Sequence, residues 1–564
     1  MAGMKPGQAV AIVVLGAGAI DTARRIQSIY PGAQVHGLAS RVQSDIAFSE
    51  FGTHLRDLYT RGTPVVALCA AGIVIRAIAP CLADKGAEPP VLAVAEDGSA
   101  VVPLLGGLSG VNVMAREIAA RLRVDPAITT SGELRFGTCL LNPPAGYALA
   151  DVEQGKRFVS DLLAGETTRI EGDAPWLDHA GLPRAEHARL AIRVSPRAAL
   201  SDEQRDDLLI HPRCVVAWVD GAADAGTHGD LAERVRLALR EHGLAALSLA
   251  VLLAPPRDAA SQALADAARA LDVPLRFGER PDSEAGEEHG AHGVVLAVAH
   301  GPVDASAVGR PRGKLTVIGL GPGSAELMVP AAKEALAQAE DILGYETYVR
   351  MAGPLRAGQR VHGSDNREEM QRARHAFRLA SEGRNVVVVS SGDPGVFAMA
   401  AAVLEALDEA REREPAWAAV ELAIVPGVSA ALATAARAGA PLGHDFCVLS
   451  LSDNLKPWTV IETRLRHAAQ ADLVMAFYNP VSRARPWQLD RALDIVREYR
   501  AGTTRVVLGR DVGRPGETVV STTLERVGSQ DVDMRTMVIV GSSLTRGFLR
   551  DSAREWVYTP RWYE

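Results

Sequence analysis

Cysteine is scarce in this chain: five residues in 564 (Cys69, Cys81, Cys139, Cys214 and Cys447), with no C-x-x-C pair among them. That excludes a disulfide-stapled scaffold, and the five read as reduced, buried thiols of a cytosolic protein. The usual metal-ligand spacings are also missing, so no metal site is expected. Aromatic residues make up only 5%. With Ala and Gly abundant, this favours tightly packed α/β layers over a β-sandwich. Positive charge is in deficit, 60 Lys and Arg against 68 Asp and Glu. Nucleic-acid binding rests on clustered cations, so no nucleic-acid partner is expected. No apolar run approaches the length of a membrane span, and no membrane partner is expected. The opening M-A-G-M-K-P-G-Q leads straight into a strand without a signal-peptide core, and the expected location is cytoplasmic. What remains is an ordinary globular composition, 48% hydrophobic and 23% charged. A chain this long exceeds one core and should divide into several domains.

The richest signal lies in mid-chain. Lys314 to Ser324 read K-L-T-V-I-G-L-G-P-G-S, and Val389 to Phe397 read V-S-S-G-D-P-G-V-F. Each sets glycines directly after β-branched residues, as a parallel α/β sheet does where backbone approaches a ligand at the strand carboxyl ends. A third strand-to-helix turn, V-P-G-V-S-A, runs from Val425 to Ala430. A dinucleotide fingerprint would need Gly or Ala where Ser324 stands, and Pro322 removes one of the N–H groups that phosphate wants. A small cofactor gripped by main-chain atoms fits better.

The polar stretches Gly278 to Gly293 and Gly301 to Gly313 divide the chain. The fold class is α/β and multi-domain, with a 1–140 parallel-sheet α/β domain, a middle region 141–212, a small α/β domain 213–300, a linker 301–313 and a C-terminal module 314–564. In the first domain the expected strands are an opening A-V-A-I-V-V-L, Pro64 to Cys69, Val91 to Val94 and Ala127 to Thr130. Gly72 to Leu82 and Asn112 to Leu122 are expected helices. The turn G-A-G-A at Gly16 to Ala19 reads as a plain βα turn, because no acid follows at the ribose distance. In the C-terminal module, A-P-L-G-H-D-F at Ala440 to Phe446 is expected to be a hinge between two lobes, leaving a cleft of the kind that holds small molecules.

Further motifs sharpen the reading: G-Y-x-x-Y (Gly344, Tyr345, Tyr348), S-L-S-D-N-L-K-P-W (Ser450 to Trp458), M-A-F-Y-N-P (Met475 to Pro480), G-R-D-V-G-R-P-G-E-T (Gly509 to Thr518) and D-M-R-T-M-V-I-V-G-S-S (Asp533 to Ser543). Together with the glycine turns they resemble the tetrapyrrole (precorrin) methyltransferases, and within them the precorrin-3B C-17-methyltransferases. The resemblance implies a two-lobed fold with S-adenosyl-L-methionine in the cleft and methyl transfer to precorrin-3B at C-17, with ring contraction to precorrin-4 in cobalamin biosynthesis. It implies cofactor contacts from Gly321, Pro322, Gly323, Ser391, Gly392, Asp393, Phe397, Val428, Ser429, Ala430, Phe477, Gly509, Arg510 and Val540. Asp393 either accepts a hydrogen bond from the cofactor or caps the next helix. Candidates for moving protons during ring contraction are Tyr345, Tyr348, Asp453, Arg510 and Asp511. Candidates for pairing the substrate carboxylates are Arg350, Arg367, Arg483, Arg485 and Arg514. A homodimer is implied, and other corrin-pathway enzymes are further candidate partners.

The first module has its own resemblance. G-I-V-I-R-A-I-A-P-C-L-A-D-K (Gly72 to Lys85), P-P-V-L-A-V-A-E-D-G (Pro89 to Gly98) and P-L-L-G-G-L-S-G-V-N-V-M-A (Pro103 to Ala115) are similar to cobalt-precorrin 5A hydrolases, which open a lactone and release acetaldehyde. Residues 213–277 resemble that family's C-terminal unit. The family pattern carries His where this chain has Leu108, T-T-A-T-D where it has T-T-S-G-E (Thr129 to Glu133), and a Cys-containing turn in place of Trp218 to Ala222. A group able to take a proton from water is missing. The module therefore reads as a non-hydrolytic corrinoid-binding remnant. A bifunctional enzyme that keeps the hydrolase, and a non-catalytic carrier throughout, are the alternatives.

Overall fold

The computed structural model describes residues 9–30, 32–82, 88–198, 206–220, 230–281, 286–356, 358–365, 368–410, 412–551 and 554–562. The chain forms two compact units, Met1–Arg310 and Pro311–Glu564.

The first unit carries three sheets. Its six-stranded sheet runs Ile46–Phe48, Gln34–Leu38, Ala11–Val14, Val65–Leu68, Val91–Val94, Val101–Leu105, parallel except for the last strand. Strands buried on both faces read as unbroken apolar runs, and AIVV, VVAL and VLAV are fully buried. Helices Ile20–Gln27 and Val111–Leu122 cover one face, Phe51–Thr60 and Ala71–Ile78 the other. Ala127 to Thr130 is not a strand. Only the Ala127 amide reaches the sheet, donating to Val101 at 2.9 Å, before the chain turns into helix Ser131–Phe136. A second, four-stranded sheet runs Tyr147–Leu149, Leu208–Pro212, Leu190–Val194, Thr168–Glu171.

The third sheet runs Leu275–Phe277, Leu249–Ala254, Val215–Val219, Val294–Ala299, Gly286–Ala291. Here the expected divider Gly278 to Gly293 proves partly structural. Gly286–Ala291 pairs antiparallel with Val294–Ala299, and Ala291 faces Val294 across a two-residue turn. His292 (φ 54°) and Gly293 (φ 72°) both sit left-handed, which is the geometry a tight hairpin turn demands.

The second unit has two lobes. The first lobe is a parallel sheet, Arg360–Ser364, Asp341–Tyr345, Asn385–Ser390, Lys314–Gly319, Glu421–Val425. Helices Glu369–Ser381 and Met399–Ala410 lie on one face, Pro330–Gln338 and Glu346–Met351 on the other. The second lobe is a mixed sheet, Phe446–Ser450, Val474–Tyr478, Thr536–Val540, Arg505–Arg510, Thr518–Thr523. Helix Ala430–Ala438 leaves the first lobe and packs on the second lobe's sheet. The expected hinge is braced rather than free. Gly439 and Ala440 pair with Val557 and Tyr558, and the buried Thr559 hydroxyl donates to the Pro441 carbonyl at 2.6 Å.

Candidate active site

Strands Asn385–Ser390, Lys314–Gly319 and Glu421–Val425 are immediate neighbours and parallel, so the three glycine turns that follow them emerge side by side. The turns are laced together. Gly321 and Gly392 exchange backbone hydrogen bonds, Gly392 N–H to Gly321 O at 2.8 Å and Gly321 N–H to Gly392 O at 3.2 Å. A Cβ on Gly427 would stand 2.9 Å from the Gly319 Cα, so these two turns touch backbone to backbone. Asp393 ties the second turn to the third: one carboxylate oxygen accepts from Gly395 N–H at 2.8 Å, the other from Gly427 N–H at 3.0 Å. It therefore holds the turns together, and that bond across to Gly427 is not visible in sequence. Ser429 caps helix Ala430–Ala438 by accepting from Leu432 N–H at 3.3 Å.

Arg514 reaches from the second lobe to the first. Its Nε donates to the Pro322 carbonyl at 2.8 Å and its Nη2 to Ser391 Oγ at 3.1 Å. The guanidinium thus staples the first two turns, a role that its reading as a substrate-pairing cation did not include. For Arg485 that reading is corrected: it is buried and donates to the Asn479 carbonyl at 3.1 Å. Arg350 is exposed and lies 3.7 Å from Glu346, Arg483 is exposed, and Arg367 lies outside the described residues.

Strand alternation limits what the second lobe's expected residues can offer a ligand. Phe477 and Val540 are fully buried and point into the core beneath helices Trp458–Gln470 and Gln488–Arg497. Only their main chain is available to a ligand. Gly509 lies bare against the Thr434 side chain, packing its strand on helix Ala430–Ala438. Arg510 and Asp511 are occupied with each other and their neighbours. Arg510 pairs with Asp533 at 2.9 Å and with Asp511 at 3.2 Å, and Arg535 reaches Asp511 at 3.3 Å. Asp511 is buried and left-handed (φ 50°) within this network.

Tyr345 and Tyr348 meet edge to face with centroids 5.2 Å apart. Burial pushes the Tyr348 hydroxyl's pKa up, and the Arg514 guanidinium pulls it the other way. Asp453 accepts from Gln488 Nε2 at 3.3 Å. Gln488 is 2% exposed and its Oε1 has no partner among the described residues. No motif includes Gln488, and although Asp533 and Arg535 open the D-M-R-T-M-V-I-V-G-S-S motif, its spacing does not show that they pair with Arg510 and Asp511, a relation that is tertiary.

Fit to a small cofactor turns on Gly392. It is left-handed (φ 70°), and a Cβ there would enter space bordered by Ser429 Cα at 3.7 Å, Ala430 N at 3.8 Å and Val428 O at 4.0 Å. A bare backbone thus opens a cradle between two turns that a side chain would fill.

The family model for tetrapyrrole (corrin/porphyrin) methylases matches residues 314–528. A precorrin-3B C(17)-methyltransferase from Sinorhizobium is 52% identical over 251 residues, covering 44% of this chain and 97% of the relative. The chain belongs to the tetrapyrrole methylases. A cobalamin biosynthesis protein, CobIJ, from Mycobacterium bovis is 47% identical over 255 residues, 44% of this chain and 48% of that protein, so the chain spans about half of its length. The crystal structure of the methyltransferase CobJ aligns at 50% identity over 44% of this chain and 100% of its own, with a TM-score of 0.42. Residues 53–133 match a second model, the N-terminal part of cobalamin synthesis protein G.

In that first module, Leu108 is 46% exposed between Gly106 (φ 85°) and Gly110 (φ 94°). Two of the resembling segments meet here. Asn112 donates to buried Glu133 at 2.7 Å and to Thr130 at 3.0 Å, and Arg116 pairs with the same carboxylate. The five cysteines are free thiols, Cys69 and Cys214 buried and the others partly so. Burial raises Cys69, Cys139 and Cys214 to about 11, so they are poor nucleophiles. Among the described residues no group of ligating side chains is placed to hold a metal ion, and no helix is long and apolar enough to cross a membrane.

Proposed function

We propose that the Pro311–Glu564 unit methylates precorrin-3B at C-17 with S-adenosyl-L-methionine as donor, contracting the ring toward precorrin-4 in cobalamin biosynthesis. The observation that carries the reading is the convergence of three glycine turns at adjacent strand ends around the open face of Gly392. The 52% identity to a C(17)-methyltransferase supports the choice of substrate.

When bound, S-adenosyl-L-methionine supplies a sulfonium methyl for transfer to carbon. The protein's part is to align the reactants and exclude water. Main-chain groups of Gly321, Pro322 and Gly323, of Ser391 and Gly392, and of Val428, Ser429 and Ala430 would grip the cofactor, with Asp393 holding the turns in register. Backbone of Phe397, Phe477, Gly509, Arg510 and Val540 would line the remainder. Proton movement in ring contraction falls to Tyr345, Tyr348 and Asp453. Arg510 and Asp511 would act instead as the ion-paired support of their loop.

For the first module we propose a corrinoid-binding role without hydrolysis, because Leu108 cannot take a proton from water. A retained lactone hydrolase is the second reading, favoured by the buried Asn112–Glu133 pair and the partly exposed Arg116 beside it. A cytoplasmic homodimer accords with this function. The deciding experiment incubates the full-length protein with labelled S-adenosylmethionine and precorrin-3B and weighs the product. A singly methylated, ring-contracted product is expected, and an unmodified macrocycle would overturn the assignment.

A further inference from the structure

The loop after strand Phe446–Ser450 carries a cation, Lys456, outside the glycine turns and the Arg510–Asp511 network. Lys456 places its ammonium 6.0 Å over the ring of Phe397. Phe397 is itself unusual: its backbone is left-handed (φ 54°), rare for a bulky residue, and the side chain is 52% exposed. Such a conformation persists only where surrounding contacts over-determine it. Contacts to its ring come from the second lobe. The ring meets Tyr478 nearly edge-on with centroids 5.4 Å apart, and the Tyr478 hydroxyl accepts from Ala431 N–H at 3.2 Å. Next to Lys456 in the loop, Leu455 is 93% exposed.

The charge around Lys456 is unbalanced. Its ammonium has no carboxylate partner among the described residues, and neither has Arg464, exposed on helix Trp458–Gln470. Partial burial, then the nearby Arg464, hold the lysine's pKa below its ordinary value. Elsewhere in this unit many arginines are paired with acids, as Arg466, Arg491 and Arg510 are. Two neighbouring cations without a counter-ion, one partly desolvated, are arranged for an anion that arrives from outside. The exposed ring and the exposed leucine beside them suit an apolar body. A ligand with both properties is an apolar macrocycle bearing carboxylate arms.

We propose that Lys456, supported by Arg464 and presented over Phe397, receives one carboxylate arm of the tetrapyrrole while the Phe397 ring and Leu455 bear on the macrocycle. This rests on the methyltransferase reading above and adds a specificity-determining site to it.

The test uses full-length protein and the variants Lys456→Met, Lys456→Arg and Arg464→Gln. KM for precorrin-3B is measured at saturating S-adenosylmethionine, and S-adenosylmethionine affinity by calorimetry without the macrocycle. Loss of a charge-assisted contact should raise the KM of Lys456→Met about tenfold or more. Lys456→Arg should stay within about threefold, since charge is retained. Arg464→Gln should raise KM by a smaller factor, and cofactor affinity should be unchanged in all three. Added salt should raise the wild-type KM more steeply than that of Lys456→Met. An unaltered KM in Lys456→Met overturns the proposal. So does equal impairment of Met and Arg variants together with weakened cofactor binding, which would mark the lysine as packing alone. Absence of any methylated product from wild type would instead sink the enzymatic reading beneath it.

Discussion

Glycine substitutions at the laced turns separate two physical effects that ordinary mutagenesis mixes. At Gly392 a methyl group has room, its nearest neighbour being the Ser429 Cα at 3.7 Å, but the backbone is left-handed at φ 70°. An L-residue held there costs about 1–2 kcal/mol. For a unit the size of Pro311–Glu564 that lowers Tm by roughly 2–8 °C. At Gly427 the dihedral is not at issue, since the residue is not among those with positive φ. The obstacle is contact: the added methyl would lie 2.9 Å from the Gly319 Cα and closer still to the Gly392 carbonyl, both backbone atoms. They yield only if the Gly321–Gly392 pairing opens, and overpacking of this kind costs up to about 3 kcal/mol. Gly427→Ala should therefore be the less stable variant although its dihedral is permissive. Binding should follow a different order. Gly392→Leu fills the cradle bordered by Val428, Ser429 and Ala430 while leaving the strands beneath it alone. Scanning calorimetry with and without S-adenosylmethionine reads both effects. At about 100 times Kd a ligand adds about 2.7 kcal/mol to a folded state that binds it. Wild type should show that shift and Gly392→Leu none. A full ligand shift in Gly392→Leu would refute this placement of the cofactor, and a Gly427→Ala protein as stable as wild type would refute the backbone contact.

Residues 311–564 expressed alone should bind S-adenosylmethionine by calorimetry as tightly as the full chain, because every converging turn lies there; binding confined to residues 1–310 would contradict it. The full-length protein should release no acetaldehyde from cobalt-precorrin 5A, and Leu108→His tests whether one side chain restores that step; ready release by the unaltered protein would promote the bifunctional reading. His36 is 6% exposed, its Nδ1 2.9 Å from His54 Nε2, and burial holds its pKa at about 4. Its neutral form is favoured in the fold, so the unfolded chain binds more protons between pH ~6.5 and pH ~4. Stability of the first unit should be complete above pH ~6.5 and fall by up to about 3 kcal/mol as pH drops toward 4. His36→Leu should flatten that slope in acid-unfolding curves, and an unchanged slope would exclude the histidine as its source.

What the sequence made legible was local. The three turns could be read because a strand of β-branched residues and the glycine after it are adjacent in the chain, and adjacency survives folding. Ala127 to Thr130 misled because its composition suits a strand, while the sheet offers it a single amide partner at Val101. Gly278 to Gly293 read as a polar divider because its charges outweighed the short signal of His292–Gly293, a turn whose worth depends on the strand it folds back. Roles of charged residues were the least legible. Arg485, Arg514 and Asp511 sit in loops that suggest solvent and substrate, yet Arg485 is buried against the Asn479 carbonyl of its own loop, and Arg514 and Asp511 are held by groups that a more distant part of the chain brings to them. Pairing between such groups is decided by topology, and motif spacing does not contain it.

The same tertiary contacts explain why the cradle is formed before any ligand arrives. Asp393 spends both carboxylate oxygens on backbone N–H groups of two turns, and Arg514 directs its Nε and Nη2 to the other lobe's Pro322 and Ser391. The first fixes turns within a lobe and the second fixes one lobe's loop against the other's turns. The brace of Gly439 and Ala440 against the C-terminal strand limits the remaining freedom where the chain crosses between lobes. A site held this way loses little conformational entropy on binding, so more of each contact appears as affinity and alignment. In a displacement at carbon the protein's contribution is mainly alignment. The rigid, main-chain character of the cradle therefore suits methyl transfer better than it would suit a carrier, which gains nothing from fixing the angle of approach.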